Sequence, residues 1–379
     1  MRNRCVSTSV ALALALAASP TRAQTAPITV RVGYFSPSLP LMAAQAKGFF
    51  AEENIALSTF QVRSSVQMFQ RVRDGLMDVA ISSPDNPVNY RLNPHNAVGQ
   101  ALDVTMLYGA DLGLQLSLVG RGPFTTIGDL RGKRIGVDAP DSGFAYVLYK
   151  ILANHGLART DYTVVVVGGT PIRLAALRAG SIDATLLNAD SVVRAGNEGM
   201  NLLAPVAEVA TPYLGTVASA RESWLAANPG LAVGFIRAYW RGQQWALDPA
   251  NHAEAVALLR TLPNTPAPLA EQIYAQLTQD PTGLIPDASL DRRGLLNVIR
   301  LRDEFGGFET DQNLRWLDTP ASGIFDLSFY RRATNFAVAD DVIGPESNPI
   351  HDKTWLENHD PILLGGHDTH GHANDGDLE

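Results

Sequence analysis

Asp85 and Asp190 stand 105 residues apart, each in a short polar run: Ser82-Ser-Pro-Asp-Asn86 and Asn188-Ala-Asp-Ser191. Two carboxylates brought face to face would grip an amine or act as general acid and base. Taken singly, each would cap the turn that follows it. Hydroxyls surround them in the sequence. Ser36 and Ser83 lie in polar turns, while Ser65, Ser142 and Thr170 open helix patterns, where such residues cap free N–H groups and can border an oxygen-rich ligand. Asp141 and Gly143 flank Ser142. Tyr34 and Tyr108, with Phe35, Tyr90, Phe144 and Tyr146, offer flat faces to a planar ligand or to the core. Arg63 and Arg173 are the candidates for a bidentate grip on a carboxylate, against the commoner role of a solvated surface arginine.

These residues need elements to position them, and the chain writes the elements twice. Shifted by 105, Ser65–Ile81 falls without a gap on Thr170–Leu186, with Arg73/Arg178, Gly75/Gly180 and Asp78/Asp183 identical. The same shift lays Leu57–Val62 on Tyr162–Val167 and Ile28–Gly33 on Lys133–Asp138. Apolar strand patterns alternate with amphipathic helix patterns in each copy, which predicts mostly parallel sheets flanked by helices. The expected helices include one over 39–50 and one opened by Thr170 with Pro171 behind it and Gly180 past its end. From about Leu214 helix follows helix, separated by Pro249, Pro263, Pro266 and Pro281. This helical third is expected to pack on the first lobe. Ligands settle beyond the carboxyl ends of strands in open α/β sheets. That rule nominates the runs 34–37, 63–65, 82–86, 138–144, 168–171 and 188–191. The ligand-binding set is therefore Tyr34, Ser36, Ser65, Ser83, Asp85 and Tyr108 from one lobe, and Asp141, Ser142, Gly143, Thr170, Asn188 and Asp190 from the other. Arg73/Arg178 and Asp78/Asp183 fall at the opposite ends of the strands and read as structural.

A chain of 379 residues with 46% hydrophobic content can bury more than one core. Arg2 and Arg4, the apolar run Val10–Ala18, Pro20 and Thr21-Arg22-Ala23 have the form of a secretory signal peptide with cleavage after Ala23. Cys5, the single cysteine, lies inside it and before the apolar run, so the expected mature chain carries no disulfide, thiolate or lipid-modified cysteine. The formal charge of −8 is concentrated in Phe336–Glu379, which has ten Asp/Glu against one Lys. With the basic leader set aside the body is near neutral, and without a basic stripe nucleic acid is not an expected partner. Five of the eight histidines lie in that tail, including His367-Asp-Thr-His-Gly-His372; it reads as a solvated end, with no metal site or other cofactor expected. The expected division is a signal peptide over 1–23, lobe 1 over 24–114, lobe 2 over 115–212, the helical return to lobe 1 over 213–333, and an acidic His-rich tail over 334–379.

Four runs, in this order, carry a resemblance: Gly33-Tyr-Phe-Ser-Pro37 with Ala46–Ile55, Ile127–Val137, Leu177–Ala184 and Ala218–Pro229. Together they resemble the nitrate/sulfonate/taurine/thiamine-precursor family of periplasmic solute-binding proteins, over roughly Ile28 to Arg332. The resemblance implies a type II periplasmic-binding-protein fold, two α/β lobes joined by two crossing segments. It also implies a monomer in the periplasm that closes on a small organic ligand, anionic, zwitterionic or an aromatic acid, and delivers it to an inner-membrane ABC permease and its ATPase. One departure stands out. Sulfonate-type members often carry a Trp-Asp-Pro-like run where this chain has Asn188-Ala-Asp-Ser191, which points away from a sulfonate.

The alternative is an enzyme on the same fold, of the thiamine-pyrimidine-synthase or decarboxylase kind. The synthase branch resembled here would bring a cysteine-rich motif and an active-site histidine. The expected mature chain has no cysteine, and His95, His155 and His252 fall outside the nominated runs. A binding role without turnover is the stronger expectation.

Overall fold

The computed structural model describes residues 26–113, 116–280, 282–309, 317 and 322–334. The segment expected as a signal peptide, and all of the expected acidic His-rich tail but Thr334, lie outside them.

The first lobe is built from β1 (Ile28–Tyr34), α1 (Leu39–Ala46), α2 (Phe49–Glu52), β2 (Ile55–Gln61), α3 (Ser65–Arg73), β3 (Val79–Ser82), α4 (Asp85–Leu92) and β4 (Val104–Asp111). The second contains β5 (Ser117–Gly120), β6 (Arg134–Val137), α5 (Gly143–Asn154), β7 (Thr163–Val166), α6 (Thr170–Arg178), β8 (Ala184–Leu187), α7 (Ala189–Asn197) and β9 (Asn201–Pro205). The chain then returns as β10 (Thr216–Arg221) and the helices α8 (Glu222–Ala227), α9 (Pro229–Leu247), α10 (His252–Leu259), α11 (Ala267–Leu277) and α12 (Arg292–Glu304), with a last helix over Ser328–Thr334.

Two five-stranded sheets result, ordered β2-β1-β3-β10-β4 and β7-β6-β8-β5-β9. In each, three strands run parallel, and the fourth is antiparallel to both of its neighbours. Each antiparallel strand belongs in sequence to the far side of a crossing: β5 follows β4 into the second lobe, and β10 brings the chain back to the first. The 105-residue offset survives in three dimensions, since α3 superposes by number on α6 and β3 on β8. The repeated aspartates do equivalent work. Asp78 accepts the amide and Nε of Arg31 at 2.8 and 2.9 Å, and Asp183 accepts those of Arg134 at 2.9 and 3.1 Å.

The strands β3 and β8 are buried at every residue, as a sheet covered on both faces requires. Phe235, Ile236 and Tyr239 of α9 pack on Val30, Val32 and Tyr108 of the first sheet, each large apolar side chain contributing about 1.5–3 kcal/mol by burial. So the helical third does pack on the first lobe. It also reaches the second: Val298 and Leu301 of α12 join the core around α5, and Val193 of α7 packs with α10 and α11. The helix expected over 39–50 is interrupted at Lys47-Gly48, giving α1 and α2. The cap expected at Thr170 is one residue early, at Gly169, because the Thr170 hydroxyl is engaged by the Arg173 guanidinium.

Candidate functional site

A cavity of about 330 Å3 lies between the two sheets. The first lobe lines it with Phe35, Ser36, Ser38, Gln61, Ser83 and Asn86, and the second with Asp138, Ser142, Gly143, Phe144, Thr170, Asn188 and Asp190. Most of these follow the carboxyl ends of β1, β3, β6, β7 and β8, where side chains and helix N-termini converge. The crossing strands add Asp111, Gly215 and Thr216. Leu259, Leu262, Ile273, Leu277 and Leu284 close one side as an apolar wall.

The two lobes touch around this space. The amide of Gly169 donates to Arg63 O at 2.8 Å. Gly168, at φ +125°, turns the chain in a way other residues resist, so the backbone of the second lobe can come this close. Farther along the seam, a Cβ on Gly143 would fall on Asp85, leaving no room there for any side chain.

The charged groups are mostly engaged. Arg173, 2% exposed, donates to Gly168 O at 2.7 Å, Thr170 Oγ1 at 3.1 Å and Leu186 O at 3.1 Å, with Asp138 at 3.9 Å. Burial pushes its pKa down and Asp138 opposes the shift. Asp138 also accepts the Ser142 hydroxyl at 2.6 Å, while Ser142 Oγ accepts from Ala145 N at 3.2 Å and so caps α5. Arg194 donates to Asn264 O at 2.9 Å and Thr265 Oγ1 at 2.6 Å, fastening α7 to the turn before α11. Asp190 sits 3.9 Å from Arg194 Nε, too far for a hydrogen bond. Its side chain keeps 31% exposure and lines the cavity, so what it meets is cleft rather than open solvent. Burial raises its pKa, and Arg194 and the Ser191 amide pull the other way. Asn188 Oδ1 is buried with no hydrogen-bond partner among the described residues.

Of the residues named from sequence, Ser36, Ser83, Ser142, Gly143, Thr170, Asn188 and Asp190 line this cavity. Ser65, Asp85 and Asp141 instead border an adjoining void of about 20 Å3, together with Ser142. Asp85 does not oppose Asp190 as a second free carboxylate, because it is consumed by Arg302 at 2.6 and 2.8 Å. Tyr108 is 1% exposed and stacks on Tyr239 at 4.5 Å, and Tyr34 packs at the margin of the same core; neither lines the cavity. Tyr90 stacks on Phe69 at 4.1 Å and Tyr146 on Phe305 at 5.8 Å. Sequence reasoning missed Asp111, Arg194, Thr216 and the whole apolar wall. The helical period of α11 shows that Ile273 and Leu277 share a face, but period alone does not say what that face covers. The lining holds neither cysteine nor histidine among the described residues. Among the described residues no group of three or more His, Cys, Asp or Glu could hold a metal ion.

The model of the NMT1/THI5-like family matches residues 36–253. Among curated proteins, none matches in sequence. Solved structures resemble the chain along most of its length. A protein from Bordetella bronchiseptica RB50 aligns with 21% identity and a TM-score of 0.64, covering 82% of this chain and 97% of that one. The nitrate-binding protein NrtA from Synechocystis PCC 6803 aligns with 14% identity and a TM-score of 0.67, covering 83% and 91%. The alkanesulfonate-binding protein SsuA from Xanthomonas axonopodis pv. citri, solved with MOPS, aligns with 18% identity and a TM-score of 0.59, covering 74% and 91%. At these identities the likeness is one of fold: two α/β lobes of the periplasmic-binding-protein kind.

Proposed function

The chain belongs to the NMT1/THI5-like family, and from that premise we propose that it is the periplasmic substrate-binding subunit of an ABC-type importer. It captures one small organic molecule between its lobes. The observation that carries this reading is the cavity of about 330 Å3 whose walls come from both lobes and the returning helices. A site assembled from two bodies exists only when they close, so binding and closure are linked, and closure is what a membrane partner can read. The crossings are placed to permit it. Asp111 of β4 pairs with Thr216 of β10 at the point where both strands leave the first sheet. The similarity of fold to the nitrate-binding protein of Synechocystis and the alkanesulfonate-binding protein of Xanthomonas supports the same role. A lining without cysteine or histidine supports capture over turnover.

Native mass spectrometry of the protein purified from an exporting host tests the reading, followed by a thermal-shift screen. The expected result is one small molecule per chain and a melting temperature that rises with its concentration, by the equivalent of about 2.7 kcal/mol at a hundredfold excess over Kd. No bound mass, and no response to a broad set of acids, amines and vitamin precursors, would overturn it.

A further inference from the structure

Resting on the capture reading, we propose that the ligand presents a hydrogen-bond-donating end, an ammonium or amide N–H group, to Asp190 and Asn188, and lays an apolar body against the helical wall.

The charges of the lining lead to this assignment. Arg173 and Arg194 are the cations among the described lining residues, and no lysine joins them. Both guanidiniums are largely committed within the protein, the first through Nη1 and Nη2 to Gly168, Thr170 and Leu186, the second to Asn264 and Thr265. Of their nitrogens, only Nε of Arg173 is buried without a partner among the described residues. Neither presents a free two-pronged fork, which is what a carboxylate or sulfonate would need. Three carboxylates face them, from Asp111, Asp138 and Asp190, so the formal charge of the lining is negative.

The helix N-termini do not reverse the balance. Ser142 already takes the Ala145 amide at the start of α5. In α6 Pro171 has no N–H, and the amides of Ile172 and Arg173 donate to Gly169 O. In α7 the first turn carries Asp190 itself, a negative charge where an anionic ligand would otherwise sit.

Two acceptors at the start of α7 can take a further donor. Asn188 Oδ1 is buried without a partner among the described residues, and a buried acceptor left unpaired is destabilising until one arrives. The Asp190 carboxylate lines the cavity with Arg194 Nε at 3.9 Å, beyond hydrogen-bond reach, and takes local support from the Ser191 amide and hydroxyl. An N–H-bearing end at the start of α7, where Asn188 and Asp190 both line the cavity, would meet this pair. Leu259, Leu262, Ile273, Leu277 and Leu284 supply the apolar surface for the rest of the molecule. An inorganic anion such as nitrate would leave that surface uncovered.

Isothermal titration of the full chain with four probes tests the assignment: 4-phenylbutylamine, 4-phenylbutyrate, 4-phenylbutane-1-sulfonate and sodium nitrate. The amine is expected to bind at least about tenfold more tightly than the acid or the sulfonate, with nitrate silent. Asp190→Asn is expected to weaken the amine about tenfold or more while its ligand-free melting curve stays close to that of the parent. Tighter binding of the sulfonate or acid, or an amine affinity untouched by Asp190→Asn, overturns the donor-end assignment and leaves the capture reading standing. If all four probes are silent, a molecule released from the purified protein decides: an N–H-bearing end supports the assignment, and an acid without one overturns it. Silence with nothing bound overturns both.

Discussion

Asp85 and Arg302 form a two-pronged ion pair in which each side chain is 1% exposed, Nε to Oδ1 at 2.6 Å and Nη2 to Oδ2 at 2.8 Å. The same guanidinium donates to Asn89 Oδ1 at 3.1 Å, Gly307 O at 2.5 Å and, in the other lobe, Asp141 O at 2.9 Å. Burial alone would lower the Arg302 pKa; the Asp85 charge outweighs it and the shift is upward. One side chain thus joins α4, α12 and the loop before α5. A buried charge is tolerable only when it is matched in this way.

Arg302→Met should destabilise the protein by about 3–5 kcal/mol, because it strands the Asp85 carboxylate in the interior. The double variant with Asp85→Asn should recover a good part of that loss. Urea denaturation of the parent and both variants checks the sign. A loss below about 1 kcal/mol for Arg302→Met would show that water, not Arg302, solvates Asp85.

Gly143→Ala separates binding from folding. Its Cβ would fall on Asp85, across the seam between the lobes, and on the capture reading that contact is made on closure. The expected outcome is a ligand affinity lower by about tenfold, the equivalent of roughly 1.4 kcal/mol, and unchanged stability without ligand. Small-angle scattering should show a larger ligand-free radius than that of the parent. A variant that closes and binds normally would mean that the Asp85–Gly143 contact is not made on closure.

Arg194→Ala removes the tie from α7 to Asn264 and Thr265. Its bonds are made across the second lobe and the helical third, so the loss should appear in how long a ligand stays. The dissociation rate should rise about five- to tenfold with a smaller change in association, since interface changes act mostly through departure. Stopped-flow measurements distinguish the two. An effect confined to association would assign Arg194 to steering instead.

The repeat made much of this arrangement legible in the sequence. The shared offset of α3/α6 and β3/β8 placed the strand ends, and with them Ser83, Ser142, Thr170 and Asn188. Less visible were the strands that do not repeat. The run Thr216–Arg221 is largely small residues, and only its place between β3 and β4 makes it a strand. Asp85 illustrates a different gap: the offset pairs it with Asp190, but a partner 217 residues away decides its role. The apolar wall was hidden for the same reason, because a helix face announces that it is covered and not by what.

Asp183 gives a prediction in pH. Burial by itself would raise its pKa, but the Arg134 side chain and amide, with Arg121, hold it down to about 2. The unfolded value is about 3.9. A folded pKa below the unfolded one means that the ionised group stabilises the fold above about pH 4. That contribution is lost as pH falls from about 4 towards 2. Arg134 and Arg121 are 45% and 34% exposed, so solvent screening trims the full shift to about 1–2 kcal/mol. Asp183→Asn should therefore cost about that much at pH 7, and the gap to the parent should shrink as the pH is lowered from 4 to 2.5. Urea denaturation at pH 7, 4 and 2.5 measures it. A gap that stays constant across the three would place the loss in the geometry around the substituted amide, whose NH2 faces donors, and not in the charge of Asp183.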